Sequence, residues 1–302
     1  MKMLGITSKL LLVVAIAFIG FTACQKENST TTTNVDETTF ANATSESDAE
    51  AEVVFEDVFD NVMGTSDEVG MSGVGILGSV NNNNNGFDLN GADSLGTRCF
   101  TVTITKLNPP NAFPVKIVVD FGTGCTGRDG RTRKGKIITE YTNRLVVPGA
   151  KATTIFDGYY VNDIKVEGTH IIENKSTQNA LIFRNQVIGG KLTKPNGNFT
   201  EWSKDKTWEQ VEGFGTPFFP LDDVFKITGQ ANGAVKIGTN FMQWSHIITK
   251  PLYRKFTCRY TVKGEVTIQR TNKPVAVLDY GTGNCDNKAT ITVNGVTREI
   301  TL

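Results

Sequence analysis

The sequence is poor in the side chains on which most catalytic sites depend. It contains two histidines, His170 and His246, among 302 residues, and it lacks the Gly-x-Ser-x-Gly pattern that presents a serine nucleophile. Both histidines alternate in step with apolar neighbours, which is typical of hydrogen-bonded core residues rather than of bases or metal ligands. These shortages disfavour a serine hydrolase and a histidine-centred site.

The sequence also lacks an apolar run long enough to cross a bilayer. The longest one, residues 10–21, follows Lys2 and Lys9 and has the layout of a secretory signal. It ends in Phe21-Thr-Ala-Cys24, and Gln25-Lys26-Glu27-Asn28 comes next. We therefore expect residues 1–23 to be a cleaved signal peptide.

Residues 21–28 resemble the processing and export signals of Bacteroidota lipoproteins. In the lipobox a small residue, here Ala23, precedes a cysteine that becomes acylated; Phe21 stands where the family usually has Leu. The resemblance implies lipidation (palmitate) at Cys24 and a membrane anchor at the outer face of the outer membrane. Several acyl chains would make that anchoring stable. The alternatives are an ordinary secretory signal and a polar linker.

Basic residues are scarce before residue 98, and the remainder of the chain has an excess of them. Residues 1–97 carry 3 Lys or Arg against 14 Asp or Glu, whereas residues 98–302 carry 28 against 17. A basic folded part favours anionic partners such as lipid headgroups or acidic polysaccharide. The alternative is a Lys-rich surface neutralised by the protein's own acidic tether. No specific nucleic-acid site is expected.

Residues 24–97 have the composition of an acidic low-complexity stalk. Residues 29–45 are rich in Thr, Asn and acids, which predicts a flexible segment. Ser47-Asp-Ala-Glu50 then forms a capping box. The helix-spaced apolar residues after it are Val54, Phe55, Val58, Phe59 and Val62. This pattern predicts one short helix, about residues 48–63, that packs on the domain, followed by a second linker over residues 64–97.

Residues 98–302 contain period-two, β-branched segments and no convincing helix. Asn196-Gly197, Asn232-Gly233 and Asn294-Gly295 lie between strand-like runs and tolerate the positive φ angles of tight hairpin turns. The segment therefore predicts an all-β domain. We expect an antiparallel meander of about ten strands that forms a sandwich or an incomplete barrel.

Cysteine is scarce, but its placement is informative. Pro114–Cys125 and Pro274–Cys285 are near copies, each an apolar strand followed by Gly-Thr-Gly, and the upstream cysteines Cys99 and Cys258 lie 26 and 27 residues before the cysteines of these copies. Four cysteines allow three pairings, and the duplicated spacing favours the disulfides Cys99–Cys125 and Cys258–Cys285. A zinc site lacks the usual ligand spacing.

A basic cluster surrounds the predicted turn at Asp129-Gly130. Its members are Arg128, Arg131, Arg133, Lys134 and Lys136. The cluster is an anion-patch candidate, and the alternative is a charged hairpin that discourages edge pairing. Residues 130–136 also match part of a phosphate-binding loop, but Ile137 stands where Ser or Thr would bind magnesium, and no helix follows.

Other candidate residues could serve a carbohydrate ligand or substrate. The three tryptophans, Trp202, Trp208 and Trp244, could stack on sugar rings, although core packing is the commoner fate. Candidate acids for glycoside hydrolysis are Glu201, Glu209, Asp222 and Asp223. Asp120 and Asp279 precede the Gly-Thr-Gly turns, where one acid per turn suits capping better than calcium binding.

The sequence as a whole favours a non-enzymatic surface lipoprotein with a binding or structural β domain. We expect neither cofactor nor metal. One alternative is a surface carbohydrate-active enzyme with two acids facing each other across a groove lined by Trp202 or Trp208. Another is a carrier for lipid or lipopolysaccharide, which would need an open barrel with an apolar interior.

Overall fold

The computed structural model describes residues 29–64, 99–215 and 220–302. The predicted signal peptide, the lipidation site Cys24 and residues 65–97 of the second linker lie outside these residues. Within the described part of the chain, no helix is long and apolar enough to cross a membrane.

The described residues form one α-helix, a long series of β-strands and a short 3₁₀ turn at Pro220–Asp222. The elements are α1 (Ser29–Met63), β1 (Thr101–Lys106), β2 (Val115–Asp120), β3 (Cys125–Thr126), β4 (Thr132–Tyr141), β5 (Lys151–Val161), β6 (Ile164–Asn174), β7 (Ile182–Thr193), β8 (Phe199–Glu212), β9 (Val224–Ile237), β10 (Asn240–Lys255), β11 (Lys263–Gln269), β12 (Ala276–Thr282), β13 (Lys288–Val293) and β14 (Val296–Thr301).

All fourteen strands belong to a single antiparallel sheet. Each strand pairs with the next along the chain, except that β2 pairs with β4 and the short β3 pairs only with β4. The edges are β1 and β14, and the sheet does not close. The predicted all-β antiparallel meander is confirmed, with more strands than the expected ten.

The positions of the turns explain part of the excess of strands over the expected ten. Asn294 and Gly295 have φ angles of 51° and 78° and form the predicted tight turn between β13 and β14. Asn162 and Asp163, at 48° and 64°, divide one long β-branched run into β5 and β6. The prediction of a turn at Asn232-Gly233 is wrong, because both residues lie inside β9 and pair with β8 and β10.

Both predicted disulfides are present. Cys99 and Cys125 join the start of β1 to β3, with their Cα atoms 5.3 Å apart. Cys258 and Cys285 join the β10–β11 connection to the segment after β12, with their Cα atoms 5.7 Å apart. The duplicated sequence block thus corresponds to a duplicated arrangement of neighbouring strands and a crosslink.

The helix is longer than its sequence indicated. It begins at Ser29, so residues 29–45, which were expected to be flexible, form its first half. The hydroxyl of Ser45 donates to the carbonyl of Ala41 at 2.8 Å, and that of Thr44 donates to the same carbonyl at 3.0 Å. Because these hydroxyls bond within the helix, the polar side chains can be buried there.

The sheet curls around α1 as an incomplete barrel. The strands that contact the helix include β4, β5, β6, β8, β9, β10, β12, β13 and β14. The predicted apolar face is buried, with Phe55 stacked on Trp202 at a centroid distance of 5.7 Å and Phe59 on Trp208 at 4.3 Å. The hydrophobic core therefore lies between the helix and the inner face of the sheet.

Candidate functional site

A row of acids lies along the buried side of α1. Asp48, Glu52, Glu56 and Asp60 are spaced by four residues, which places them on one face of a helix. The first three are at most 2% exposed. Buried carboxylates need partners, and the inner face of the sheet provides them.

Asp48 accepts three hydrogen bonds in the core. Its Oδ1 receives the indole N–H groups of Trp202 and Trp244 at 2.9 and 3.2 Å, and its Oδ2 lies 2.5 Å from Nδ1 of His246. Burial favours the neutral acid, but His246, Lys206 and the indole of Trp202 outweigh it and lower the pKa of Asp48. An ionised carboxylate only accepts, so Nδ1 of His246 carries a proton.

Glu52 is paired with two buried lysines. Nζ of Lys204 lies 3.3 Å from its Oε1, and Lys206 donates to its Oε2. All three side chains are at most 3% exposed. Burial would raise the pKa of Glu52, but Lys204 and Lys206 outweigh burial and hold it well below its usual range. Burial also lowers the pKa of Lys204.

One guanidinium serves the last two acids of the row. Arg254 donates to Glu56 at 2.8 Å and to Asp60 at 2.5 Å. Burial raises the pKa of Glu56 to about 7 and that of Asp60 to about 6, because a single cation offsets only part of the cost for two carboxylates. This end of the row therefore binds protons near neutral pH.

We expect the free energy of unfolding to fall as pH rises from about 4.5 to about 7. Glu56 ionises near 4.5 when unfolded and near 7 when folded, so the folded state holds more protons in that window. Glu52 has the opposite sign, and its stabilising contribution is lost as pH falls below 4.5. Glu56→Gln should flatten the decline, measured by denaturant unfolding at about pH 5 and about pH 7.5.

The control for this prediction is Glu209→Gln, which removes a surface acid paired with Lys226. That variant should keep the wild-type pH dependence. If Glu56→Gln declines as steeply as the wild type between the two pH values, the assignment of the proton uptake to Glu56 is wrong.

A second set of ion pairs lies where the helix is exposed by the opening of the sheet. Glu46 pairs with Arg298 of β14, and Glu50 pairs with Lys194, after β7, at 2.9 Å. A cavity of about 410 Å³ lies beside the helix here, and its lining includes Glu46, Glu50, Lys194, Val54 and Ile300. The pairs connect the helix to β14 and to the end of β7.

The predicted anion patch is largely paired with the protein's own acids. Arg131 and Arg133 contact Asp57 of the helix at 3.1 and 2.8 Å, and Arg133 is 2% exposed. Lys134 pairs with Asp163 at 3.6 Å and Lys136 with Asp120 at 3.2 Å, while Arg128 is exposed. Two residues of the patch, Arg131 and Arg133, therefore hold α1 through Asp57, and Arg133 also pairs with Asp129 of its own hairpin at 2.8 Å.

The three tryptophans are in the core. Trp202, Trp208 and Trp244 are 2%, 0% and 4% exposed, and Phe55 and Phe59 of the helix occupy the ring faces of the first two. For Trp202 and Trp208, stacking on α1 therefore takes the place of the stacking on sugar that the sequence suggested, and Trp244 instead donates to Asp48 of α1.

The candidate acids do not form a facing pair beside the tryptophans. Glu201 pairs with Lys191 at 3.5 Å. Asp223 accepts from Gln210 at 2.6 Å, and burial together with the neighbouring Asp222 raises its pKa to about 6. The acid that contacts Trp202 is Asp48, and the other acids of its row share its helix rather than the opposite side of a groove.

The remaining candidates have structural contacts. His170 is buried and lies 2.7 Å from Oδ1 of Asn185. Asp120 and Asp279 each accept the amide N–H of the residue two positions later, at 2.9 and 2.8 Å, which is the capping expected of them. No cluster of three or more potential metal ligands occurs in the described ranges.

A polar groove crosses the outer face of the sheet. Gly190, Trp202, Gly233 and Trp244 pair in one row across four strands. A Cβ at Gly233 would lie 2.3 Å from Cζ2 of Trp244, so glycine gives the inward indole its room. The outer side of this row is a cavity of about 560 Å³. Its polar lining residues are Lys191, Glu201, Ser203, Asn232 and Gln243.

Comparison of the chain with protein-family models, with curated proteins and with solved structures finds no match.

Proposed function

We propose that the protein is a non-enzymatic surface lipoprotein in which α1 links a lipid anchor at Cys24 to a β module that binds a polar ligand, such as a glycan, on its outer face. One observation carries the proposal: α1 fills the interior of the curled sheet, and its acids pair with the interior cations. In this proposal a ligand therefore binds at the outer surface of the sheet.

The same observation disfavours the two alternatives. A carbohydrate-active enzyme would need opposed carboxylates in an accessible cleft, whereas Asp48, Glu52 and Glu56 are buried on a single helix. A lipid carrier would need the interior that Phe55 and Phe59 occupy. Opening that interior would require the helix to leave, and several buried charges would then lose their partners.

The anchor would be coupled closely to the folded module. Four residues separate Cys24 from Ser29, where α1 begins, and an extended chain of four residues spans about 14 Å. The helix then continues into the core of the sheet. In this proposal the acidic segment is a rigid connection rather than a loose tether.

The anchor is tested by metabolic labelling in a bacterium that processes lipoproteins. We expect an alkyne-tagged palmitate analogue to label the wild-type protein and not the Cys24→Ala variant, and external protease to digest the wild type on intact cells. Equal labelling of both proteins would contradict lipidation at Cys24. Protection from protease would contradict surface exposure.

The outer groove is tested by glycan-array binding of the purified mature protein. Asn232→Ala with Gln243→Ala removes two amides that line the groove, and we expect at least a tenfold loss of any glycan binding. The matched control is Gln269→Ala, an exposed amide on β11 outside the groove. Binding that survives the double change, or no binding to any glycan, would contradict the proposal.

A further inference from the structure

We infer that the β9–β10 hairpin tip lies against the bilayer that holds the anchor; this inference rests on the proposed lipidation. We define the hairpin tip as Phe199, Lys236, Ile237 and Phe241 together with the adjacent Lys191. The module would then have a membrane-contact surface and a fixed orientation in addition to its anchor.

The direction of α1 determines which end of the module is nearest to the anchor. Asp48 contacts Trp244 near the start of β10, whereas Asp60 contacts Arg254 near its end. The N-terminal part of the helix therefore emerges beside the β9–β10 turn. Ile237 also lines the same cavity as Ala43 and Glu46 of the helix. The hairpin tip and the N-terminal part of α1, which leads back to Cys24, therefore lie at the same end of the module.

The side chains of the hairpin tip suit the boundary between headgroups and acyl chains. Ile237 and Phe241 are 39% and 53% exposed. Phe199 and Phe241 have ring centroids 6.5 Å apart, and the ammonium groups of Lys191 and Lys236 lie 4.1 and 5.9 Å from the ring of Phe199. Aromatic rings insert at this depth while lysine stems extend toward lipid phosphates.

The length of the connection permits this contact. Residues 29–40 add about 18 Å of helix before Ala41, which is fully buried, at about 1.5 Å per residue. The helix must therefore be inclined to the bilayer for the hairpin tip to touch it. Four residues lie between Cys24 and Ser29, and an extended chain of four residues reaches up to about 14 Å, which would allow that inclination.

The opposite end of the module provides a matched control. Phe214 is 66% exposed and follows the far end of β8. The fourteen residues of β8 place it about 45 Å from Phe199 along the strand direction, at about 3.3 Å per residue. Phe214 is thus an exposed aromatic residue of the same kind that should remain in water.

The test uses the full mature lipoprotein, reconstituted in vesicles of phosphatidylethanolamine and phosphatidylglycerol with a dibrominated phosphatidylcholine as quencher. Phe241→Trp and Phe214→Trp are compared with the wild type, whose three indoles are buried and should not be quenched. We expect loss of the extra fluorescence and a blue shift for Phe241→Trp, and neither for Phe214→Trp.

The outcomes separate this inference from the proposed function. If the wild type does not co-sediment with vesicles, the anchor is absent and both proposals fall. If it co-sediments and the indole of the Phe241→Trp variant is not quenched, the anchor stands and the inference is overturned. Quenching of the Phe214→Trp variant alone would also overturn it, because the opposite end would then face the bilayer.

Discussion

Deletion of residues 24–97 is expected to leave residues 98–302 unable to fold into the curled sheet. The deleted part includes α1, whose buried apolar side chains include Ala41, Ala49, Ala51, Val54, Phe55, Val58, Phe59, Val62 and Met63. Truncating one buried phenylalanine costs about 3–5 kcal/mol, against a total stability of about 5–15 kcal/mol. Loss of the entire helix therefore exceeds the stability of a typical domain.

Unpaired charges on the inner face of the sheet would destabilise the shortened chain further. Without α1, the side chains of Lys204, Lys206 and Arg254 would remain on the inner face of the sheet without their carboxylate partners. An unpaired buried charge is strongly destabilising. The shortened chain should therefore show no cooperative thermal transition by near-ultraviolet circular dichroism, although both disulfides can form.

The missing helix can be supplied as a separate molecule. A peptide of residues 29–64 added to the refolding shortened chain should restore a cooperative transition, and a peptide of the same composition in scrambled order should not. If residues 98–302 alone melt cooperatively at the temperature of the full chain, the helix is not part of the core.

The strands and crosslinks could be predicted from sequence because their signals are local or repeated. β-Branched alternation and the turn at Asn294-Gly295 depend on neighbouring residues. The disulfides followed from the copied spacing of Pro114–Cys125 and Pro274–Cys285, which selected one of three pairings. Gly233 misled the turn prediction, because its lack of a side chain serves the indole of Trp244 rather than a turn.

The position of the helix could not be predicted in the same way. Asp48, Glu52 and Glu56 have the spacing of one helix face, but a row of acids is normally solvated. Their partners lie about 150 to 200 residues later in the chain, and local pattern does not connect them. A usable signal was the alternation of Trp and Lys over residues 202–208, which places lysines and tryptophans on the same face of β8.

Charge counting gave a partial indication of this arrangement. The acidic excess before residue 98 and the equal basic excess after it left open a tether that neutralises the domain. Asp57, which contacts Arg131 and Arg133, shows that part of the neutralisation takes place through specific contacts with the helix. Composition alone gave the balance of charge but did not indicate that the charged side chains of the helix and the sheet are buried.

The substitution Glu52→Leu is expected to destabilise the protein by about 3–5 kcal/mol, because it leaves a buried charge uncompensated. Glu52 is the shared acceptor of Lys204 and Lys206, whose side chains are fully buried. Leucine is similar in size to glutamate, so the loss reports mainly on charge rather than on a cavity. The measurement is guanidinium unfolding at about pH 7 with linear extrapolation.

Replacing the lysines as well distinguishes an unpaired charge from a packing defect. The triple variant Glu52→Leu, Lys204→Met and Lys206→Met removes all three charges at similar volume and should recover most of the lost stability, since apolar replacements of buried ion pairs are often neutral or stabilising. As the surface control, Glu209→Ala removes an exposed partner of Lys226 and should cost about 1 kcal/mol or less. A triple variant no more stable than Glu52→Leu would show that Glu52 contributes through packing, and the buried ion pairs would then not explain how α1 is held in the sheet.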